Sequence, residues 1–195
     1  MIRPAFVRLN DAAHLAVCRP LEEIIRSILA GNSEDFREII REFGDDLLKI
    51  AYHFVHDWDE AKDITQTTFI ACYRNLRRYH PARPFRPWLL RIHLNNCRSA
   101  HRRHRRRLLR ETVLDETTED ATRIDNGNDE AIIWRQIDRL SAKQKAAFVL
   151  VEIESYSSHD AAEILGCTDS TVRVHLARAK RKLREQLKYY GIGYE

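Results

Sequence analysis

Apolar residues recur every three or four positions along almost the whole chain, and no segment shows a convincing β-strand alternation. The pattern therefore predicts an all-α protein. Gly31-Asn32, Asp57 and the proline-containing segment 81–84 separate the first apolar stripes, because such residues favour helix ends and turns. Asp57 with Glu60, Ser141 with Gln144, and Ser157 with Asp160 have the pattern of capping boxes at helix starts. The second and third stripes comprise Phe36, Ile39, Ile40, Phe43, Leu47, Ile50, Ala51 and Phe54, followed by Ala61, Ile64, Phe69, Tyr73 and Leu76.

The helical pattern is interrupted between residues 108 and 128. This stretch collects Thr, Asp, Glu, Asn and Gly and has no apolar period. It overlaps the end of an arginine-rich run, 98–110, that contains no acid, so basic and acidic residues are sharply segregated. We expect two small helical domains joined by an acidic flexible linker, with an N-terminal extension over 1–20, the domains over 21–107 and 129–190, and the linker over 108–128.

Composition narrows the classes of protein that the chain can represent. Of 195 residues, 44% are hydrophobic and 32% are charged, with a formal net charge of +4. No apolar run approaches the roughly 20 residues of a membrane span, so we expect a cytoplasmic protein without membrane insertion. The scattered cysteines form no C-x-x-C pair. His53, His56, His101 and His104 come closest to ligand spacing, but no carboxylate or cysteine joins them, so we expect no metal, no cofactor and no enzymatic activity.

Segment 157–184 has the pattern of a helix-turn-helix. Two short helices would be joined by a turn at Gly166, with the small Ala162 where the helices cross. An ordinary amphipathic hairpin with solvated cations is the alternative, and the basic residues that continue to Arg184 argue against it. The second helix presents short hydrogen-bonding and long cationic side chains suited to duplex DNA: Asp169, Ser170, Thr171, Arg173, His175, Arg178 and Lys180.

The segment 85–96 mixes aromatic, Arg and Asn residues just before the arginine-rich run. Aromatic rings stack on unpaired bases, Arg and Asn hydrogen-bond them, and nearby cations hold phosphates, so this combination predicts contact with single-stranded DNA. Trp88 also lies on an apolar stripe, so a core position and a base-contacting position are both open for it. The arginine-rich run alone would equally fit RNA or an acidic protein. The candidate residues are Phe85, Trp88, Arg91, Asn95, Asn96, Arg98, Arg102 and Arg103.

Motifs in both halves match one known family in order and spacing. They are Ala-Lys-Asp-Ile-Thr-Gln-Thr-Thr-Phe over 61–69, Phe85-x-x-Trp88-Leu-x-Arg91-Ile-x-x-Asn95, Leu140-Ser-x-x-Gln144, Ala162-Glu-Ile-Leu-Gly166, Thr171-Val-Arg173, and Arg178-Ala-x-x-x-Leu183. Together they resemble regions 2 and 4 of the extracytoplasmic-function group of the sigma-70 family. The resemblance covers the chain from about Leu21 to Leu187, apart from the linker.

This resemblance implies an RNA polymerase sigma factor that binds core polymerase, recognises both promoter elements and promotes DNA melting. It implies that Asp63, Gln66, Thr67 and Phe69 dock on the clamp of the largest polymerase subunit, with a further contact at the flap region. It also implies that region 2 holds the melted downstream element, that region 4 binds the upstream element, and that an anti-sigma factor inhibits the protein. Thr67 and His175 depart from the Glu and Arg that are common in the family.

A transcriptional regulator is the competing hypothesis. Its helix-turn-helix would bind duplex DNA without core polymerase, while the first half senses a signal. Such a protein need not carry the Asp-x-x-Gln-x-x-Phe and Trp-Leu-x-Arg-Ile runs. Without the family resemblance, Asp63 and Gln66 would be interpreted as a solvated helix face rather than as a docking surface.

Overall fold

The structure is a computed structural model that describes residues 19–114 and 129–192, without the side chains of 108–114. Most of the predicted N-terminal extension and residues 115–128 of the predicted linker lie outside these ranges. Within them every regular element is helical, which confirms the all-α prediction. The helices are α1 Leu21–Leu29, α2 Phe36–Val55, α3 Trp58–Asn75, α4 Phe85–Leu114, α5 Asp129–Asp138, α6 Ala142–Phe148, α7 Ser158–Leu165 and α8 Asp169–Tyr189.

Side-chain caps fix several helix starts. The Asp57 carboxylate accepts hydrogen bonds from the first amides of α3, at 2.9 and 2.8 Å. Ser141 and Gln144 form a reciprocal capping box at the start of α6, with bonds of 3.3 and 3.0 Å. The Ser157 hydroxyl accepts from the amide of Asp160 at the start of α7. These boundaries are local, and the sequence pattern places each of them correctly.

The N-terminal helical unit, α1–α4, is built around the mutual packing of α2, α3 and α4. Leu47 and Ile50 of α2 and Leu89 and Leu94 of α4 are almost completely buried at the centre. The amphipathic α1 covers one side through its isoleucines. Burial of such side chains is the main favourable contribution to the stability of this unit.

A polar bridge between α3 and α4 lies inside this core. The Thr68 hydroxyl donates to the Ile64 carbonyl at 2.8 Å, lies 2.9 Å from His93 Nδ1, and accepts from Asn96 Nδ2 at 3.1 Å. Thr68 and His93 are both fully buried. Burial lowers the pKa of His93 to about 4, so its imidazole is neutral at pH 7. The bridge therefore ties the two helices together without a buried charge.

One expectation from the apolar pattern is wrong. Ile40 and Tyr73 lie on the predicted inward stripes, but they are 44% and 46% exposed. Both line an open groove between α2 and α3. Helix α4 extends to Leu114, so its last residues fall within the expected linker of 108–128.

The C-terminal helical unit, α5–α8, has a small core of its own in which Leu140, Phe148 and Leu183 are buried. Helix α6 continues into a single π-type turn, Val149–Ile153, before α7. Gly166 joins α7 to α8 with a φ of 68°, in the left-handed region that favours glycine. Residues of α6 and α7 also pack on α4, so their buried side chains are continuous with the core of the N-terminal helical unit.

Candidate nucleic-acid and partner interfaces

An open groove of about 560 Å³ runs between α2 and α3. Its rim carries large apolar side chains that are about half exposed, namely Ile40, Ile70 and Tyr73. Phe36 forms its floor, with its ring edge-on to that of Tyr73 at 5.2 Å. The lining residues of this α2/α3 groove are Phe36, Ile40, Gly44, Asp45, Leu48, Lys62, Thr65, Gln66, Phe69, Ile70, Tyr73 and Arg74.

The residues singled out on α3 all lie at or beside the α2/α3 groove. Gln66 is exposed and lines it, whereas Phe69 is 7% exposed and forms part of its floor. Asp63 and Thr67 are exposed on the adjoining surface of the same helix. The sequence pattern missed Ile40, Ile70 and Tyr73, because an apolar side chain at helical spacing gives no signal that it will stay uncovered. The arrangement suits a partner that presents an apolar ridge flanked by polar groups.

The candidate strand-binding residues of α4 divide between core and surface. Phe85 is buried, in ring contact with Phe43 and Tyr79 at 5.5 and 5.2 Å. Trp88 is half-buried and packs on Tyr79 at 5.3 Å, so it is partly a core residue with one part of the indole open. Asn96 is turned toward Thr68 in the polar bridge.

A polar stripe continues along α4 at helical spacing, with Asn95 and Arg102 exposed and Arg98 and Ser99 partly buried. Arg98 donates to the Asn95 side chain at 2.7 Å, and Arg102 donates to the Ser99 hydroxyl at 2.9 Å. Burial lowers the pKa of Arg98, and the nearby Arg102 adds charge repulsion. Arg103 is exposed next to this stripe. A bound anion such as a phosphate reduces the electrostatic repulsion between closely spaced guanidinium groups.

Arg91 is the strand-binding candidate that the structure places elsewhere. Its guanidinium donates to the carbonyl of Glu163 at 2.6 Å and to that of Ile164 at 3.4 Å, at the end of α7. A Cβ atom at Gly166 would lie 3.4 Å from the same guanidinium. Arg91 therefore binds the helix-turn-helix.

The second helix of the helix-turn-helix, α8, presents a basic outer face. Ser170, Arg173 and Arg178 are exposed, and Arg173 pairs with Asp169 one turn earlier. The Thr168 hydroxyl caps the helix by accepting from the amide of Thr171.

Two further candidates on α8 are only partly exposed. Lys180 forms an ion pair with Glu152 at 2.8 Å. Burial lowers the pKa of His175, and Lys143 and Arg178 lower it further. A neutral His175 can both donate and accept a hydrogen bond, as a base edge requires.

In 19–114 and 129–192, no cluster of three or more His, Cys, Asp or Glu side chains is placed to hold a metal ion. Cys72 and Cys97 are buried, and burial raises the pKa of Cys72 to about 12, so that this thiol is not reactive at pH 7. Cys167 is exposed in the turn before α8.

None of the helices in the described ranges combines the length and the apolar composition that a membrane span needs.

Comparison with known proteins covers both helical units. Residues 39–107 match the family model of sigma-70 region 2, and residues 130–183 match that of sigma-70 region 4. The chain is 27% identical over 182 residues to the RNA polymerase sigma-H factor of Pseudomonas aeruginosa, covering 85% of this chain and 93% of that protein. It is 28% identical over 176 residues to the ECF RNA polymerase sigma factor SigM of Mycobacterium tuberculosis, covering 88% and 86%.

A solved structure, that of CnrH in complex with the cytosolic domain of CnrY, shares the fold. It is 26% identical to this chain with a TM-score of 0.62, covering 86% of this chain and 96% of that one. The matches extend over both units, which a regulator sharing only the helix-turn-helix would not produce. The chain belongs to the extracytoplasmic-function group of the sigma-70 family, the non-enzymatic RNA polymerase sigma factors that direct transcription initiation.

Proposed function

We propose that this sigma factor docks on the clamp of the largest polymerase subunit through the α2/α3 groove. The observation that supports it is the uncovered apolar rim, with Ile40 and Ile70 44% and 46% exposed beside Gln66. Exposed apolar side chains gathered around a groove favour burial against a partner. Asp63 and Thr67, on the adjoining surface of α3, would fix the position of the sigma factor on the clamp through hydrogen bonds and charge.

The polar stripe of α4 would hold the melted strand of the downstream promoter element. Arg98, Arg102 and Arg103 provide the phosphate contacts, and Asn95 provides a group that hydrogen-bonds bases. The open part of Trp88 offers a stacking surface, worth about 1–3 kcal/mol per base in comparable single-strand sites. Phe85 and Asn96 act indirectly, because Phe85 supports Trp88 from the core and Asn96 joins the polar bridge.

The outer face of α8 would enter the major groove of the upstream element. Ser170, Arg173, His175 and Arg178 would contact base edges or phosphates there, and the caps of α7 and α8 support this by holding the ends of the helix-turn-helix helices in place. Lys180 and Asp169 each have an ion-pair partner in this structure. Lys180 would exchange Glu152 for the DNA, and Asp169 would orient Arg173 toward it.

Further partners follow from the same proposal. We expect region 4 to contact the polymerase flap, and the whole complex to work in the cytoplasm with the polymerase. The structure of the relative CnrH contains the cytosolic domain of CnrY. We expect an inhibitory protein of the anti-sigma kind for this chain as well, which would compete for the α2/α3 groove or for the contact between the two helical units.

The α2/α3 groove is tested by a charge placed on its rim. Ile70→Glu should weaken binding to core polymerase by more than about tenfold, because the carboxylate would have to be desolvated against an apolar partner. Leu29→Glu is the matched control, since Leu29 is similarly exposed, at 44%, but lies on α1 outside the groove. Affinity is measured by fluorescence anisotropy of the labelled sigma factor with purified core polymerase. Equal affinity of the two variants would remove the groove from the proposal.

The α4 stripe is tested after core binding. The double variant Arg102→Ala and Arg103→Ala should bind core polymerase normally but open promoter DNA less, because phosphate contacts to the melted strand are lost. Arg37→Ala is the control, since this arginine is exposed on α2 and pairs with Glu34. Permanganate reactivity of unpaired thymines reports the melting. Normal melting by the double variant would contradict the assignment.

A further inference from the structure

Two consecutive carbonyls just after α5 are contacted by side chains from different helices. The Lys182 ammonium, on α8, donates to the Arg139 carbonyl at 2.8 Å. Nε2 of His101, on α4, lies 3.1 Å from the Leu140 carbonyl. Arg105 follows His101 by about one turn of α4 and is partly buried, so it lies on the same side of that helix. Three cationic side chains, those of Arg105, Arg139 and Lys182, therefore come together from three parts of the fold.

This cation cluster has no acidic partner in the part of the chain that the structure describes. Arg105 forms no hydrogen bond or ion pair with any residue in 19–114 or 129–192. The Arg139 guanidinium donates to an amide oxygen, Oε1 of Gln136, at 3.3 Å. Burial lowers the pKa of Lys182, and the positive charges of Arg105 and Arg139 lower it further. All of these effects oppose the charge on Lys182, so an anion bound here would be stabilised.

The other lysines of the C-terminal helical unit that are not fully exposed have carboxylate partners. Lys145 pairs with Asp138, and Lys180 pairs with Glu152 at 2.8 Å. Lys182 is partly buried as well, but it donates to a carbonyl. Carbonyls at the end of a helix stabilise a nearby cation, and this accounts for one charge beside α5. It does not account for a cluster of three.

A buried amide beside Arg139 has an unused donor. Gln136 is 1% exposed, and its Oε1 accepts from the Arg139 guanidinium. Its Nε2 has no hydrogen-bond partner among the described residues. A buried N–H group without an acceptor is unfavourable, so an acceptor oxygen at this place would be stabilising. An anion bound by Arg139 would bring such oxygens to the neighbourhood of this amide.

We propose that Arg105, Arg139 and Lys182 form a binding site for a compact anion with several negative charges, such as the diphosphate or triphosphate group of a nucleotide. Guanidinium groups bind phosphate oxygens through paired hydrogen bonds, and the lysine adds a point charge. A polyphosphate carries its charges on neighbouring oxygens, which matches cations gathered around one place. DNA distributes one charge to each phosphodiester along the strand, so it would match fewer of the three cations. The site goes beyond the DNA contacts proposed above, none of which includes these residues.

Pyrophosphate is the probe for this site. It is titrated into the full chain by isothermal titration calorimetry, with sodium chloride keeping the ionic strength constant, and we expect saturable binding. Lys182→Gln and Arg105→Gln should each weaken it by about tenfold, because each removes one of the converging charges. Lys182→Arg keeps the charge and should retain the affinity to within about twofold. Lys188→Gln is the matched control, since Lys188 is exposed further along the same helix.

Circular dichroism establishes that each variant keeps its helices. Absence of saturable pyrophosphate binding, or an equal loss of affinity in Lys182→Gln and Lys188→Gln, overturns the site. A duplex of random sequence is titrated in parallel, and Lys182→Gln should bind it as Lys188→Gln does, because each lacks one cation of the general positive field. If Lys182→Gln instead loses duplex affinity selectively and keeps its affinity for pyrophosphate, the cluster is a DNA contact and the proposal is wrong.

Discussion

Acidification should weaken the polar bridge between α3 and α4 by an amount that follows from the burial of His93. The imidazole is fully buried, and burial lowers its pKa from 6.5 to about 4. The unfolded chain therefore takes up a proton at a pH where the folded chain does not, so stability is complete above pH 6.5 and falls as pH drops toward 4. A difference of about 2.5 in pKa corresponds to a loss of about 3 kcal/mol in the free energy of unfolding.

The bridge matters for function because its two helices carry different proposed surfaces. Helix α3 carries Gln66, which lines the α2/α3 groove, and α4 carries Asn95 and Arg98 of the proposed strand-binding stripe. Thr68 and His93 join the helices between these surfaces. Protonation of His93 would place a charge in the apolar core. The α2/α3 groove and the α4 stripe would then lose their fixed relative orientation before the whole chain unfolds.

Urea unfolding between pH 6.5 and pH 4 measures the effect, with His93→Gln as the test variant and the exposed His159→Gln as the matched control. Burial also lowers the pKa of His53 and His101 to about 4, so the wild type should lose more stability than His93 alone explains. The His93 contribution is the difference between wild type and variant, about 3 kcal/mol. NMR titration of the imidazole checks it directly. A folded-state pKa near 6.5, or an unchanged pH dependence in His93→Gln, would refute the reasoning.

Three further predictions concern the C-terminal helical unit. Arg173→Ala and Arg178→Ala should each weaken binding to the upstream element. If the lost contact is to a phosphate, each should also reduce the slope of log affinity against log salt concentration by about 0.9. Anisotropy titrations at a series of salt concentrations measure both effects. Ser141→Ala removes one half of the capping box and should lower the free energy of unfolding by about 1 kcal/mol in chemical denaturation. Gly166→Ala forces a Cβ atom into a left-handed turn and should cost about 1–2 kcal/mol, seen as a lower Tm.

The sequence by itself determined the local structure of this protein. Asp57, Ser141 and Ser157 marked helix starts, and the Gly166 turn marked the helix-turn-helix, because caps and turns depend on residues only a few positions apart. The same short-range motifs, in their order along the chain, resembled regions 2 and 4, and the family matches confirm that reading. The charge pattern located the α4 stripe and the basic face of α8.

Only the tertiary structure decided which apolar and charged side chains are covered. Ile40 and Tyr73 keep perfect helical spacing yet stay exposed, since burial depends on whether another helix packs over them. Lys145 is charged yet fully buried, because its partner carbonyl belongs to Phe54, 91 positions earlier in the chain. Periodicity reports the face of one helix, whereas the α2/α3 groove depends on what packs over two consecutive helices, and the burial of Lys145 depends on a helix that is distant in sequence.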